Sequence, residues 1–243
     1  MLGKFRMETQ VATYDTGATL RLKYSVILRL LQEAATRQLF QEGLGYEEMR
    51  DKGIVFLLTR VNANIYNLPG SGEHITMETW FCGFRGAQFI RDMRMIGENG
   101  GVCAEAESLW ITADPKAHRI LRPSAFPYQE KLNPYEGDRV EVAEQKMKTG
   151  ALADATESLR QVRFSDIDCN AHVNNAVYAD LVCDYFPGGL TGKELEYLQI
   201  SFLNEAVLGD EIAIKAGFIS PKTAAFEGRV GEKRCFEAVA GIK

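Results

Sequence analysis

The chain has 243 residues, 46% of them apolar and 25% charged, which excludes intrinsic disorder and fibrous classes and suffices for one large domain or two small ones. A formal net charge of −5 argues against a nucleic-acid binder, which needs a basic face to hold phosphates. No apolar run approaches the length of a bilayer span, so membrane insertion is not expected.

The first clear element is YSVILRLLQEAATRQLFQEG. Val26, Leu30, Leu31, Ala34, Ala35 and Leu39 recur there at helical spacing, and Gly43 stands where a helix carboxyl end favours glycine. Four strand-like runs follow, IVFLLTRVNANIYNL, EHITMETWFCGF, AQFIRDMRMIG and GVCAEAESLWITAD, with Gly-rich turns separating several of them. The first half thus predicts a long helix and then an antiparallel meander. RPSAFPYQEKLNPYEGDRVEVAEQKMKTGALADATES is rich in Pro, Gly, Ala and charge, and predicts a surface linker with a short strand or helix of its own.

The same order then repeats. HVNNAVYADLVCDYF predicts a helix with Val173, Val177, Leu181 and Tyr185 on one face and Asp180 and Asp184 on another. EYLQISFLNEAVL, DEIAIKAGFIS, AAFEGRVGE and RCFEAVAGIK read as strands. Gly72-Glu73-His74-Ile75 and Gly209-Asp210-Glu211-Ile212 are separated by the same offset as Phe89 and Phe226. Cys103-Ala104-Glu105-Ala106 is echoed by Cys235-Phe236-Glu237-Ala238. Matching landmarks in matching order predict a duplicated α+β unit.

Ahead of the second helix, SDIDCNAHVNN gathers two aspartates, three asparagines and a histidine. Asp166, Asp168 and Asn170 begin like a calcium loop, but its obligatory sixth-position Gly and twelfth-position Glu are here Ala171 and Val177, so no metal is expected. Helix capping explains one or two of these residues, with Asn174 and Asn175 near the first turn. It does not explain a histidine at the helix entrance among so many amides and carboxylates. The free N–H groups of a helix start suit a developing oxyanion, with Asn170 and His172 as further donors. Asp168 and Glu205 are the candidate bases. Glu205 interrupts an otherwise apolar strand pattern, and its other reading is a surface-facing position or a partner for Arg163.

RFSDIDCNAHVNNAVYADLV closely resembles the signature of the acyl-acyl-carrier-protein thioesterases, an acidic–x–Asp–x–Asn–x–His–Val–Asn–Asn run ending in Tyr. Asp166, Asp168, Asn170, His172, Val173, Asn174, Asn175 and Tyr178 meet every position. LLQEAATRQL, GIVFLLTRVNANIYNLPGSGEHITMETWFCGF and RDMRM extend the resemblance over nearly the whole chain. It implies two tandem hotdog domains, each a long helix wrapped by a curved antiparallel sheet. The expected boundaries are 1–128 for an N-terminal hotdog with the acyl-chain pocket, 129–157 for the linker and 158–243 for a catalytic C-terminal hotdog.

The resemblance further implies that Asp168, Asn170, His172 and Glu205 are catalytic. Plant members carry a cysteine directly after that glutamate, where this chain has Ala206, so a Cys–His nucleophile is unavailable there. The expected reaction is hydrolysis of a fatty acyl thioester without a cofactor. Glu205 would activate water, best if partial burial raised its pKa. Asp168 would orient His172 or itself attack. Leu28, Leu31, Ala35 and Trp80 are candidate pocket walls, with Asn174 and Asn175 as further substrate contacts. The acidic carrier protein calls for a basic patch, to which Arg160, Arg163, Lys146 or Lys148 would contribute. A thioesterase for coenzyme A esters and a non-catalytic acyl-binding protein are the alternatives. The absence of a signal or transit segment in MLGKFRMETQ, and five scattered cysteines without CxxC spacing, lead to the expectation of a cytoplasmic protein. The two hotdogs that the resemblance implies in one chain can mimic a hotdog dimer, so a monomer or homodimer is expected.

Overall fold

The computed structural model describes residues 3–117, 119–145, 152 and 155–243. The chain folds as two compact units, Met1–Val61 with Tyr66–Val142, and Asn62–Ile65 with Ala143–Lys243.

The first unit opens with β1 (Phe5–Gln10) and a 3₁₀ turn at Thr13–Asp15, then α1 (Tyr24–Gln41) and the short α2 (Tyr46–Asp51). β2 (Val55–Ile65), β3 (His74–Arg85), β4 (Gln88–Gly97), β5 (Val102–Asp114) and β6 (Arg119–Leu121) follow. The strands run in the order β1-β3-β4-β5-β2, with β6 on β5. α1 packs on β1 and β3. It buries Val26, Ile27, Leu28, Leu31, Ala34 and Ala35, the apolar positions that recur every three or four residues. Each fully buried Leu or Ile contributes roughly 2 kcal/mol of transfer free energy. Gly43 closes α1 in the left-handed region at φ +67°, its N–H on Phe40 O at 3.0 Å.

The segment after β6 is held closely by the first unit. Phe126 and Leu132 are buried with Leu44, Met49, Ile54, Phe81 and Phe89 in one apolar cluster. Further on, the carboxylate of Asp92, wholly buried on β4, accepts from Arg139 Nε at 2.7 Å and from the Val140 N–H at 3.0 Å. A bulge between Phe81 and Gly83 lets Phe81 O accept from Tyr135 N–H at 2.8 Å. Apolar anchors and a buried carboxylate thus hold part of what composition alone reads as a surface linker.

The second unit comprises β7 (Thr156–Gln161), a 3₁₀ turn at Phe164–Asp166, α3 (Asn175–Asp184), β8 (Leu195–Phe202), β9 (Glu211–Ser220), β10 (Thr223–Val230) and β11 (Lys233–Ile242). Its strands run β8-β11-β10-β9-β7, the first unit's path of edge strand, three-strand meander and returning strand. α3 packs on β8 and β11. It starts at Asn175 rather than His172, and its buried face is Ala176, Tyr178, Ala179, Leu181 and Val182. Val177 and Tyr185, expected on the apolar face, are only half-buried. The architecture is α+β, two tandem units of helix against antiparallel sheet. Among the described residues, no helix is long and apolar enough to cross a membrane.

Candidate active site

The polar cluster folds as a tight loop between the 3₁₀ turn and α3. Asp168 N–H donates to His172 O at 2.9 Å, and Ala171 N–H to Asp168 O at 3.0 Å. Ala171 takes φ +64° to close the turn. The Asp168 carboxylate serves this turn, Oδ1 accepting from Asn170 N–H at 2.8 Å. Asn174 caps α3, its Oδ1 accepting from Ala176 N–H at 2.9 Å, and Asn175 is the first helical residue.

Asp166 anchors the loop from beneath. It accepts both ends of the Arg160 guanidinium at 2.6 and 2.8 Å and the Arg163 N–H at 2.7 Å. The Arg160 bonds, with the Arg163 N–H adding to them, hold the Asp166 carboxyl below the usual carboxylate range. Arg160 is therefore committed to this bidentate pair, and Arg163 lies exposed beside it. Lys146 and Lys148 lie outside the described residues.

Glu205 reaches the cluster from a second loop. β8 ends at Phe202, so Glu205 sits in the loop that follows and not within a strand. Val173 N–H donates to Ala206 O at 2.9 Å and His172 pairs with Val207 in an isolated bridge, which ties the two loops together. The result places His172 Nε2 3.2 Å from Glu205 Oε2. Glu205 is 64% exposed, so the burial expected to assist it is absent. The imidazole's carboxylate partner is Glu205, while Asp168 meets His172 only through the main chain.

The first unit contains the same loop without this chemistry. Gly17 N–H donates to Arg21 O, Leu20 N–H to Gly17 O, Leu22 N–H to Pro69 O and Lys23 N–H to Asp15 O. These bonds repeat, position by position, those of Asp168, Ala171, Val173 and Asn174. Leu20 has φ +59° where Ala171 has +64°, and the bridge Arg21–Gly70 matches His172–Val207. In this register Gly17 stands for Asp168, Thr19 for Asn170, Arg21 for His172 and Leu68 for Glu205. Asp15 and Asp166 alone keep their acidic character. The loop therefore folds without an amide, imidazole and carboxylate at the positions of Asn170, His172 and Glu205, so turn chemistry, which accounts for Asp168, does not account for those three. Sequence comparison of the halves missed this, because the match lies in main-chain hydrogen bonds.

Thiol chemistry has little support here. Burial pushes Cys82 and Cys183 up to about 12 and Cys235 to about 11, and raises Cys103. Ala206 is fully buried, and only Cys169 is exposed. Among the described residues, no group of three or more His, Cys, Asp or Glu side chains is placed to hold a metal ion.

A cavity of about 150 Å³ lies within the first unit, walled by α1, α2 and the sheet, with Ala35, Leu39, Met49, Phe56, Phe89 and Trp110 among its lining. Exposed Thr36 and Tyr46 stand at its edge. Of the expected walls, Ala35 is on it. Leu28, Leu31 and Trp80 are buried but are not among its lining, and Trp80 lies beneath Lys4, whose Nζ is 4.4 Å from the ring centroid.

Comparison with known proteins adds a family to this geometry. Residues 3–124 match the acyl-ACP thioesterase N-terminal domain and residues 150–230 the acyl-ACP thioesterase C-terminal domain. The chain belongs to the acyl-ACP thioesterase family. A palmitoyl-acyl carrier protein thioesterase from Arabidopsis thaliana is 26% identical over 209 residues, which cover 78% of this chain and 49% of the relative. This acyl-ACP thioesterase-family chain spans about half the length of the curated plant relatives it matches. An acyl-ACP thioesterase structure from Bacteroides thetaiotaomicron superposes with a TM-score of 0.87 at 18% identity, covering 99% of this chain and 98% of that one. A 12:0-ACP thioesterase from Umbellularia californica gives 0.84 at 15% identity, covering 99% and 94%. The fold is thus the tandem hotdog of this family.

Proposed function

We propose that the chain hydrolyses the thioester of a fatty acyl group carried on acyl carrier protein and releases the free fatty acid, in the cytoplasm. The observation that carries this reading is the 3.2 Å pairing of His172 with Glu205 on a loop whose counterpart in the first unit has neither residue. Glu205 takes a proton from water as the water oxygen attacks the thioester carbonyl carbon. The Asn170 amide and the N–H groups at the start of α3 polarise that carbonyl. As the tetrahedral intermediate collapses, the C–S bond breaks, and the proton passes through the Glu205–His172 pair to the departing thiolate. Asp168 holds the turn that presents Asn170 and His172. The cavity of the first unit receives apolar acyl carbons, a reading supported by its mostly apolar lining. The chain works as a monomer or homodimer.

The test is release of free acid from a panel of acyl carrier proteins and from matching coenzyme A esters. Faster release from the carrier protein, lost in Glu205→Gln, supports the reading. Equal or faster release from coenzyme A assigns the alternative carrier. Tight acyl binding without turnover leaves a binding protein.

A further inference from the structure

Arg91 on β4 is only 7% exposed, and among the described residues no carboxylate forms an ion pair with it. By contrast Arg94 pairs with Glu105 and Asp138, and Arg139 with Asp92 and Glu107. Arg91 Nη1 donates instead to two neutral acceptors, Gln38 Oε1 at 2.5 Å and Thr79 Oγ1 at 3.1 Å. Burial pushes its pKa down to about 10. A guanidinium has five N–H donors, and the Nε and Nη2 donors of Arg91 meet no acceptor among the described residues. Buried positive charge without a counter-charge is expensive, and the usual remedy is an anion. Among the described residues, Arg91 is also the one charged group in the lining of the first unit's cavity.

We propose that this cavity is a binding site for an aliphatic carboxylate. The carboxylate takes the remaining Arg91 donors, and the alkyl chain lies along the apolar walls toward exposed Thr36 and Tyr46. The planar guanidinium fork matches a carboxylate better than a hydroxyl or a simple carbonyl. A space of this size admits a body comparable to benzene, about six carbon atoms, so an eight-carbon acid is held with the end of its chain reaching the edge at Thr36 and Tyr46. Two sources share this chemistry: a free fatty acid, and the far-end carboxyl of an acyl chain acidic at both ends. The inference goes beyond thioester hydrolysis and needs neither His172 nor Glu205, so binding without turnover reads it separately.

Calorimetric titration of the full chain with octanoate and octan-1-ol tests it, with Trp110 fluorescence as a second signal. Octanoate is expected to bind at least about tenfold more tightly than the alcohol. Arg91→Met removes that difference and Ala35→Phe blocks both ligands. Equal affinity of octanoate and octan-1-ol for the unaltered chain overturns the proposal, as does a folded Arg91→Met that keeps the preference. Should Arg91→Met fail to fold, carbon-13 carboxyl-labelled octanoate on the unaltered chain decides. A bound carboxyl titrating below the free acid supports the site, and one titrating at or above it overturns it. Thioesters of suberic and octanoic acid on N-acetylcysteamine, bound to Glu205→Gln, separate the sources. An advantage for the suberyl ester that Arg91→Met abolishes assigns the far-end carboxyl; equal binding of the esters, with octanoate still preferred over octan-1-ol, assigns the free acid.

Discussion

His172 Nε2 and Glu205 Oε2 lie 3.2 Å apart because Val173 N–H bonds Ala206 O, clamping the loop after β8 against the loop before α3. The main chain sets this pairing, so either side chain can be changed without loss of the loops. Glu205→Gln is expected to lower turnover on acyl carrier protein about a hundredfold or more, with KM little changed. Thiol release measured at saturating substrate checks it. A Glu205→Gln enzyme within a few-fold of the original would remove Glu205 as the base.

Asp166 bears on stability. Its folded-state pKa is depressed, chiefly by the Arg160 bonds, so it stabilises the fold above the unfolded carboxyl pKa of about 4, and that contribution fades as pH falls through the lower folded value. Asp166→Asn is expected to cost about 1–3 kcal/mol at pH 7, and the gap from the unaltered protein should narrow steadily below about pH 4. Urea titrations at several pH values measure the gap. A gap independent of pH would show that charge at Asp166 is not what holds the loop.

The fold was largely legible in the sequence because α1 and the eight long strands obey clear periodicities. The edge strands β1 and β7 were not, since Met7 is the sole buried residue of β1 and β7 buries none. Glu205 was expected inside a strand. β8 stops earlier because Leu203 and Asn204 turn their N–H groups to Cys235 O, which local periodicity does not register. The candidate site was legible through its residue types, yet the pairing of Glu205 with His172 depends on a clamp between loops far apart in sequence. Arg91 gave no signal, because neither its burial nor its lack of a carboxylate partner among the described residues can be read from spacing.

Cysteine reactivity should separate sharply. Cys169 is the exposed thiol, whereas burial holds Cys82, Cys183 and Cys235 far above neutrality. An aromatic disulfide reagent should titrate one thiol quickly in the native protein and five after denaturation. Cys169→Ser should abolish the fast phase and keep turnover within about twofold. A large loss of turnover on this substitution would reinstate a thiol in the chemistry.

The clamp at Asp92 should govern the segment that crosses the first unit. Asp92→Asn keeps an acceptor for the Val140 N–H but removes the charge that holds Arg139. A loss of about 1–3 kcal/mol is expected, together with faster proteolysis between residues 133 and 145. Unchanged cleavage would mean that Phe126 and Leu132 suffice to fix the segment.

One loop conformation, twice used and only once equipped, has a stoichiometric consequence. Gly17, Arg21 and Leu68 offer no counterpart to Asp168, His172 and Glu205, so under the proposed reaction each polypeptide counts as a single reactive equivalent however many copies assemble. A tight mimic of the tetrahedral intermediate should saturate at one molecule per chain, leaving the first copy free to drift in side chains while its main chain stays the same.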